Sequence, residues 1–336
     1  MPDKKTFKAG FVAIIGRPNV GKSTLVNRLV GQKVSIVTSR PQTTRNRIQG
    51  IVNQPDAQIV LIDTPGLHQT RSALGRQMAG EITQALEGID ILAAMVDATD
   101  RIGHEDREAI GRASSFNGPA ILLLNKIDRM PKEKLLPLIE QCSKLREWKE
   151  IIPISALTGD GEKDLLKVIV DNLPSNEPFF PVDQYTDQPE RFLAAEIVRE
   201  KAMAATNREV PHAIASLVDT FEESPTLIRI SVSLFVEAEG QKGILIGKQG
   251  AMLKKIGTTA RIELEKLLCT KVFLELHVKT QPGWRNNPAM VRQLDWRNQL
   301  EALSDVLQGT NPNPPVNEIG DDVDDNDSEE TSSSEE

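Results

Sequence analysis

Short apolar runs alternate with longer amphipathic stretches through the first half of the chain. Each run has the length of a buried strand, and the longer stretches, such as Glu162–Asn172, carry apolar residues at helical spacing. The runs are Phe11–Ile15, Ile59–Ile62, Ile91–Val96, Ala120–Leu124 and Ile151–Ile154. This alternation predicts an α/β domain over residues 1–174, with a mostly parallel sheet and helices on both of its faces.

A proline-rich segment separates this pattern from a second one. Four prolines between residues 174 and 189 are incompatible with a long helix or a central strand, so residues 175–192 are predicted to be an interdomain linker. Residues 193–308 then predict a small α+β domain with the order helix, strand, strand, short helical turn, helix and strand. Its main elements are expected at Leu193–Thr206, Ala213–Phe221, Leu227–Ala238, Ala251–Leu268 and Lys271–Val278.

Charge is distributed unevenly along the chain. The formal net charge is −8, but residues 309–336 alone hold ten carboxylates and no Lys or Arg. Because this acidic segment lacks apolar residues to offset its ordering entropy, it is predicted to be a disordered tail. Residues 241–294, by contrast, hold ten Lys or Arg and three Glu. That excess indicates a surface for a polyanion, although a solvated helix face is the alternative.

Length and composition favour a two-domain cytoplasmic protein. A chain of 336 residues fits two domains of ordinary size. It contains no apolar run long enough to span a membrane, and its first ten residues lack the apolar core of a signal peptide. The two cysteines, Cys142 and Cys269, lie far apart without metal-binding spacing, so we expect ordinary buried thiols.

A phosphate-binding motif follows the first apolar run. Gly16-Arg17-Pro18-Asn19-Val20-Gly21-Lys22-Ser23 has the spacing G-x-x-x-x-G-K-S, and Thr24–Val30 is the expected helix after it. The backbone N–H groups of such a loop and the N-terminus of the helix bind phosphates. We expect Lys22 to reach the β- and γ-phosphates and the Ser23 hydroxyl to bind Mg²⁺.

Another motif stands at the end of the run Ile59–Ile62. Asp63-Thr64-Pro65-Gly66 places an acid where it can hold the Mg²⁺ shell and a glycine N–H where it can meet the γ-phosphate. Thr64 and Thr24 adjoin these groups and are counted among the expected nucleotide contacts.

Two motifs further along the chain identify the base. Asn125-Lys126-Ile127-Asp128 ends a predicted strand, and the Asp128 carboxylate can accept two hydrogen bonds from guanine that adenine cannot donate. Asn125 is expected to brace the loops, and the Lys126 stem to cover the base. Ser155-Ala156 follows the last run, where the Ala156 N–H can reach the guanine O6. The nucleotide is therefore predicted to be GTP or GDP.

These motifs resemble the translation-factor class of P-loop GTPases. The resemblance implies an effector loop at Gln42-Thr43-Thr44-Arg45, in which Thr44, or alternatively Thr43, binds Mg²⁺ and the γ-phosphate. It assigns the catalytic roles to Lys22, Thr44, Asp63 and Gly66. Leu67 replaces the usual water-orienting glutamine, which implies slow intrinsic hydrolysis. Several GTPases with this substitution use K⁺ bound by a phosphate-loop asparagine, and Asn19 matches that position; an ordinary turn residue is the alternative.

The second domain contains a loop with a different signature. Gly247-Lys248-Gln249-Gly250, preceded by Ile246, matches the GxxG of a KH module, which lets a nucleic-acid backbone approach closely. The predicted element order is that of the type II KH fold, and the basic excess lies on the same segment. These observations predict single-stranded RNA binding by Ile246, Gly247, Lys248, Gln249 and Gly250. Trp284 and Trp296 are expected to be packing residues, with stacking on bases as the alternative.

The chain carries QTTR, DTPGL, NKID and GKQG in this order, and over residues 7–303 it is similar to the Era family of bacterial GTPases. The resemblance implies a monomeric ribosome-biogenesis factor that binds the pyrimidine-rich 3′ end of small-subunit ribosomal RNA during 30S maturation. It implies no DNA partner and at most peripheral association with the inner membrane. The acidic tail departs from the family pattern.

Two other functions remain open from the residues. One is a GTP-regulated RNA-modification or RNA-chaperone factor that acts on another RNA. The other is a constitutive RNA-binding scaffold whose nucleotide never turns over, which would leave Lys22 and Asp63 without a purpose.

Overall fold

The computed structural model describes residues 6–67, 71–207 and 209–300. The predicted tail, residues 309–336, and the last predicted residues of the second domain, 301–308, therefore lie outside the described residues. The strands of the first domain are β1 (Lys8–Ile15), β2 (Ile48–Gln54), β3 (Ala57–Asp63), β4 (Ile91–Asp97), β5 (Ala120–Asn125) and β6 (Glu150–Pro153). Its helices are α1 (Lys22–Val30), α2 (Ala73–Ala85), α3 (His104–Ser114), α4 (Leu135–Ser143) and α5 (Glu162–Asn172).

The six strands form one sheet in the order β2-β3-β1-β4-β5-β6. Only β2 runs antiparallel to its neighbour within this sheet, and the other pairs are parallel. The register places Ile14 beside Asp63 on one side and beside Ala93 on the other. The carboxyl ends of the parallel strands therefore lie along one edge, where ligands bind in sheets of this kind. The prediction of a mostly parallel sheet is confirmed.

Strand β2 was not predicted from the apolar runs. It pairs along its whole length with β3, and the connection is the two-residue turn at Pro55 and Asp56. Polar residues and Gly50 interrupt its apolar positions, because an edge strand is less completely buried than the strands beside it.

Helices cover both faces of the sheet because successive residues of a strand point in opposite directions. One buried cluster contains Val12 and Ile14 of β1, Leu25 of α1 and Leu165 of α5. The cluster on the opposite face contains Ala13 and Ile15 of β1, Ile82 of α2, Ala109 of α3 and Cys142 of α4. The prediction for the cysteines is half right, since Cys142 is buried and Cys269 is exposed.

The proline-rich segment contains no helix or strand between α5 and the next helix at Glu190, yet it is fixed to the sheet. The Ile51 N–H donates to the Tyr185 carbonyl at 2.9 Å, and the Thr186 hydroxyl donates to the Gln49 carbonyl at 2.7 Å. These bonds occupy the outer edge of β2, which would otherwise offer unpaired backbone groups to another chain. The segment acts as a strap across the sheet edge.

The second domain contains the predicted elements in the predicted order, and the described residues add two short helices, one before its first strand and one after its last. Its helices are α6 (Glu190–Ala205), the short α7 (Val210–Ala213), α8 (Glu239–Ile246), α9 (Ala251–Leu267) and α10 (Pro288–Gln293). Its strands are β7 (Ala215–Glu223), β8 (Leu227–Val236) and β9 (Lys271–Thr280). β8 lies in the centre, antiparallel to β7 and parallel to β9. Helix α6 begins within the range predicted as linker, directly after Pro189.

The described residues up to Trp296 belong to one compact unit that includes both sheets. A buried cluster joins α2 of the first domain to the second domain. It contains Ala73, Leu74, Met78, Ala215, Leu217, Phe235, Trp284 and Val291. Trp284 is completely buried, and its indole N–H donates to the Ala213 carbonyl at 2.8 Å. Its predicted role in packing is confirmed.

Candidate functional site

The loop between β1 and α1 is wrapped around a buried lysine. Lys22 Nζ donates to the carbonyl oxygens of Gly16 at 3.0 Å and of Arg17 at 3.1 Å. Burial lowers the pKa of Lys22 to about 8, against the opposing influence of the Asp63 charge. Gly21 has a φ of 112°, and a Cβ there would lie 2.2 Å from Asn125 Nδ2, so only glycine fits.

Oxygen atoms from the loop and from β3 converge beside this lysine. Ser23 Oγ and Thr44 Oγ1 lie 3.0 Å apart, and Thr44 Oγ1 lies 3.5 Å from Asp63 Oδ2. Ser35 also donates to Asp63 Oδ2, at 2.7 Å. Burial raises the pKa of Asp63, and Lys22 opposes that rise. Asp63 Oδ1 is buried and has no hydrogen-bond partner among the described residues.

The two threonines that the sequence could not distinguish point to different places. The Thr44 hydroxyl faces Ser23 and Asp63, whereas the Thr43 hydroxyl is bonded to Thr38 Oγ1 and to the Arg40 carbonyl, each at 2.7 Å. We call residues 35–46 the effector segment. Of its two candidates, only Thr44 is brought to the oxygen cluster.

A cavity of about 230 Å³ lies between this loop and the effector segment. Among its lining residues are Asn19, Gly21, Lys22, Ser23, Thr24, Thr44, Gly66 and Lys126. Asn19 has a φ of 61°, as a turn residue would, and its Nδ2 also donates to the Ser39 carbonyl at 3.0 Å. Thr64 is directed away, because its hydroxyl donates to the Ile14 carbonyl in the sheet at 2.7 Å.

Leu67 is almost completely buried, in the core cluster that contains Ile82 and Ala109. Its N–H donates to the Gly16 carbonyl at 3.2 Å. The side chain therefore lies within the protein core and has no polar group with which to orient water.

The residues predicted to read a base lie at the ends of β5 and β6. Asn125 Nδ2 donates to the Val20 carbonyl at 2.7 Å, which joins this loop to the phosphate-binding loop. Asp128 is exposed and accepts a hydrogen bond from Ser155 Oγ at 2.6 Å. The Ala156 N–H, expected to face the base, donates instead to Asn125 Oδ1 at 2.9 Å. Ala156 lines a more open cavity of about 710 Å³, which shares Thr24 with the first.

Asp97, at the end of β4, is a site residue that the motifs did not reveal. Its Oδ2 lies 2.6 Å from Lys126 Nζ and 3.6 Å from Arg17 Nη2. Burial alone would raise the pKa of Asp97, but hydrogen bonds from Lys126 and Thr99 outweigh burial and lower it. An acid at the end of the run Ile91–Val96 gives the same sequence signal as Asp63, so it could have been found.

The GxxG loop joins α8 to α9 in the second domain. Gly247 has a φ of 72°, and a Cβ there would lie 2.7 Å from the Cβ of Met252, so the turn requires glycine. Gln249 also has a positive φ, of 53°. Lys248 and Gln249 are exposed, and Ile246 is half-buried beside the completely buried Leu245. The turn thus presents backbone and two polar side chains above an apolar base.

Comparison with known families agrees with both sites. The family described as 50S ribosome-binding GTPase matches residues 11–126, and the KH domain family matches residues 209–285. The fold and sites therefore define a P-loop GTPase joined to a KH domain.

Whole-chain relatives identify the family. GTPase Era of Ruminiclostridium cellulolyticum is 45% identical over 293 residues, which cover 87% of this chain and 98% of that protein. GTPase Era of Syntrophus aciditrophicus is 48% identical over 292 residues, which cover 86% and 95%. The chain belongs to the Era family of GTPases; it binds guanine nucleotides and hydrolyses GTP.

Solved Era structures have the same overall fold. Era in complex with MgGDPNP and nucleotides 1506–1542 of 16S ribosomal RNA superposes with a TM-score of 0.84 at 44% identity, covering 86% of this chain and 99% of that one. An Aquifex aeolicus Era variant bound to GDP·AlF₄⁻ gives the same values. Among the described helices of this chain, none is long and apolar enough to cross a membrane.

Proposed function

We propose that this GTPase binds the 3′ end of small-subunit ribosomal RNA through its KH domain and acts in 30S subunit maturation. The observation that carries the proposal is an exposed GxxG turn in the same compact unit as the nucleotide site. The basic excess of residues 241–294 supports a polyanionic partner. The similar Era protein bound to nucleotides 1506–1542 of 16S ribosomal RNA supports this choice of RNA.

The proposed organisation keeps residues 1–174 as the GTPase domain, 175–192 as the linker, 193–308 as the KH domain and 309–336 as the tail. The strap of Pro-rich residues and the separate sheets support these limits. We propose a monomer that acts in the cytoplasm, with any membrane association peripheral.

For the phosphates, we propose that Lys22, Gly66 and Thr44 contact the β- and γ-phosphates. Lys22 Nζ is held on two carbonyl oxygens at the floor of the cavity, and phosphate oxygens could take their place. Gly66 lines the same cavity and carries an N–H. These donors would stabilise the negative charge that develops on the transferred phosphoryl group.

For the metal, we propose that Ser23, Thr44 and Asp63 hold Mg²⁺. The donor set fits, because these are the hard oxygen ligands that Mg²⁺ prefers, and the buried Asp63 Oδ1 lacks a partner among the described residues. When bound, Mg²⁺ would neutralise charge on the β- and γ-phosphates.

For the base, we propose that Asp128 accepts the guanine N1–H and the N2 amino protons. The exposure of Asp128 supports this role, and the hydrogen bond from Ser155 Oγ orients one of its carboxylate oxygens. Lys126 would cover the base, and Asn125 would brace the loops. The Ala156 N–H already donates to Asn125 Oδ1, so it would have to share its hydrogen bond between that oxygen and the guanine O6.

For water activation, we propose slow intrinsic hydrolysis assisted by K⁺ at Asn19. The burial of Leu67 supports the absence of a water-orienting side chain at that position. Asn19 lines the cavity and already contacts the effector segment through Ser39. A monovalent cation there would add positive charge where the transition state accumulates negative charge.

For RNA, Lys248 and Gln249 would meet the phosphates while Gly247 and Gly250 allow the backbone to approach, above the half-buried Ile246. The test is filter binding of a ribosomal 3′-end oligonucleotide to the full chain, with a nonhydrolysable GTP analogue or GDP. Lys248→Asp with Gln249→Asp should abolish binding, because two carboxylates would face phosphate, and GTP hydrolysis without RNA should persist.

The matched control changes Lys134 and Gln141 to Asp together. Both residues are exposed in the GTPase domain, so the residue types and the change in charge are identical. The control should retain RNA binding, and wild-type binding should weaken with rising salt. If both double variants lose RNA binding equally, the loss is a general effect of charge and does not identify the GxxG loop as the RNA site. If the protein binds an unrelated RNA more tightly, an RNA-modification or RNA-chaperone factor is favoured.

A further inference from the structure

Helix α6 of the KH domain and the residues directly after it contact the effector segment at three points. Arg199 Nη2 donates to the Thr43 carbonyl at 2.5 Å, and Glu200 Oε1 accepts the Val37 N–H at 2.8 Å. At the end of the helix, Arg40 donates to Asn207 Oδ1 at 3.0 Å. Arg199 and Glu200 are consecutive residues of one helix and contact the segment at Thr43 and Val37. The third contact is at Arg40, which lies between those two positions.

The two central contacts are buried. Arg199 is 1% exposed and Glu200 is 5% exposed. The Arg199 guanidinium is also paired with both carboxylate oxygens of Glu196, at 2.7 and 2.6 Å. A buried ion pair is seldom better for stability than apolar side chains of the same size. The effect of this pair is on geometry: Glu196 fixes the orientation of the guanidinium, and Nη2, which bonds Glu196, also donates to the Thr43 carbonyl of the effector segment.

Glu200 belongs to a second charged group that extends to the helix after the GxxG loop. Its Oε2 accepts from Lys33 Nζ at 2.6 Å and from Lys201 Nζ at 2.7 Å. Glu263 of α9 contacts the same two lysines. Since α9 begins directly after Gly250, the effector segment, α6 and the RNA loop are connected by continuous contacts.

The Arg199 contact lies next to the most important residue of the segment. Thr43 supplies the carbonyl, and the next residue is Thr44, whose hydroxyl lies 3.0 Å from Ser23 Oγ. Fixing the Thr43 peptide therefore fixes the position from which Thr44 reaches the metal and γ-phosphate site. A GDP molecule has no γ-phosphate, so its binding does not use this position.

We propose that Arg199 and Glu200 are positioning residues through which the KH domain holds Thr44 in place, and that they thereby raise the affinity for GTP relative to GDP. The proposal rests on the role proposed above for Thr44. A ligand shifts an equilibrium only through its differential contacts with the two states. Loss of the Arg199 and Glu200 contacts therefore weakens binding of the triphosphate alone.

The experiment measures dissociation constants of the full chain for GDP and for a nonhydrolysable GTP analogue. Arg199→Met should weaken the analogue roughly 10-fold, as expected for loss of one charged hydrogen bond, and change GDP by less than about 2-fold. Glu200→Ala should act in the same direction. Arg199→Lys should bind the analogue more tightly than Arg199→Met does, because an ammonium can still donate to the Thr43 carbonyl.

Arg191→Met is the matched control. Arg191 lies on the same helix and its guanidinium also donates to a backbone carbonyl, that of Val218 at 3.0 Å, but this contact is within the KH domain. The control should leave the ratio of the two constants unchanged. If Arg199→Met fails to fold because Glu196 is left unpaired, the double variant with Glu196→Gln removes that charge.

Three results would overturn the proposal. If Arg199→Met weakens the binding of both nucleotides by the same factor, Arg199 has only a structural role. If it weakens the binding of neither, the Arg199 contact does not affect nucleotide affinity. Thr44→Ala must reproduce the selective loss, and an unchanged ratio in that variant would remove the basis of the proposal. Failure of wild-type protein to bind ribosomal RNA would refute the proposed function and leave these nucleotide ratios unaffected.

Discussion

Binding of GTP should draw a proton onto Lys22. In the free protein, burial lowers the pKa of Lys22 from 10.5 to about 8, so the neutral amine is well populated slightly above neutrality. Phosphate oxygens placed beside Nζ favour the ammonium and should return the pKa to its ordinary range or above. With a pKa of about 8 in the free protein, binding should take up roughly a quarter of a proton at half a pH unit below the pKa. At half a pH unit above the pKa, it should take up about three-quarters of a proton.

The assay is titration calorimetry with a nonhydrolysable GTP analogue in buffers of different ionisation enthalpy. The dependence of the observed enthalpy on the buffer gives the number of protons taken up. The affinity should also fall with rising pH, approaching tenfold per unit above the pKa. Measurements should stay below the pH at which guanine N1 itself ionises, because that ionisation removes a donor to Asp128.

Lys22→Arg is the control for this experiment, since a guanidinium keeps its charge throughout the range. If this variant binds, proton uptake should disappear. Uptake that is absent in the wild type, or that is equally large in the variant, would refute the reasoning.

The same shift predicts a pH-dependent stability that needs no ligand. The folded pKa of Lys22 is below the unfolded value, so its charged form penalises folding fully below about pH 8, and the penalty is relieved as pH rises toward 10.5. The shift corresponds to roughly 3 kcal/mol. Relative to Lys22→Met, the nucleotide-free wild type should gain up to this amount over that interval in urea unfolding. A constant difference would contradict the shifted pKa.

Three further predictions concern the nucleotide. Asp128→Asn should exchange a preference for GTP for a preference for xanthosine triphosphate in competition binding, because the amide donates where the carboxylate accepted; an unchanged preference would mean that Asp128 does not read the base. Wild-type hydrolysis should be faster in K⁺ than in Na⁺ at equal ionic strength, and Asn19→Gly should remove the difference, since glycine keeps the φ of 61° that alanine would strain. Equal wild-type rates would exclude the cation. Asp97→Asn should weaken GTP and GDP by the same factor in stopped-flow binding, because Lys126 loses its partner while the phosphate contacts remain; loss of GTP affinity alone would contradict this.

The sequence predicted most of the fold because buried strands and motif spacing are local signals. Strands β3, β4 and β5 lie between covered faces and are continuous apolar runs, so their existence was evident. The motifs lie at their carboxyl ends, and a parallel sheet necessarily brings those ends together. The edge strand β2 gave a weaker signal because Gln49, Gly50, Asn53 and Gln54 interrupt its apolar residues.

Contacts between distant residues gave no local signal. Ser35 reaches Asp63 across 28 residues, and Arg199 reaches Thr43 across 156. Charged residues in a helix are most often solvated, so nothing in the sequence of α6 distinguishes Arg199 and Glu200 from surface residues. Only the packing of the second domain against the effector segment reveals their burial.

The strap changes how the two activities are expected to communicate. A proline-rich linker suggests domains that move independently, but Tyr185 and Thr186 are bonded to β2, the strand that directly follows the effector segment. The strap then enters α6 at Glu190, and α6 returns to the effector segment through Arg199 and Glu200. A displacement of the segment must therefore break contacts with α6 or move that helix with it. Because Glu263 links α9, the helix after the GxxG turn, to Lys201 of α6, a series of contacts runs from the nucleotide site to the RNA loop, although Ala156 of the last nucleotide motif and Gly247 of that loop lie about 90 residues apart in the chain.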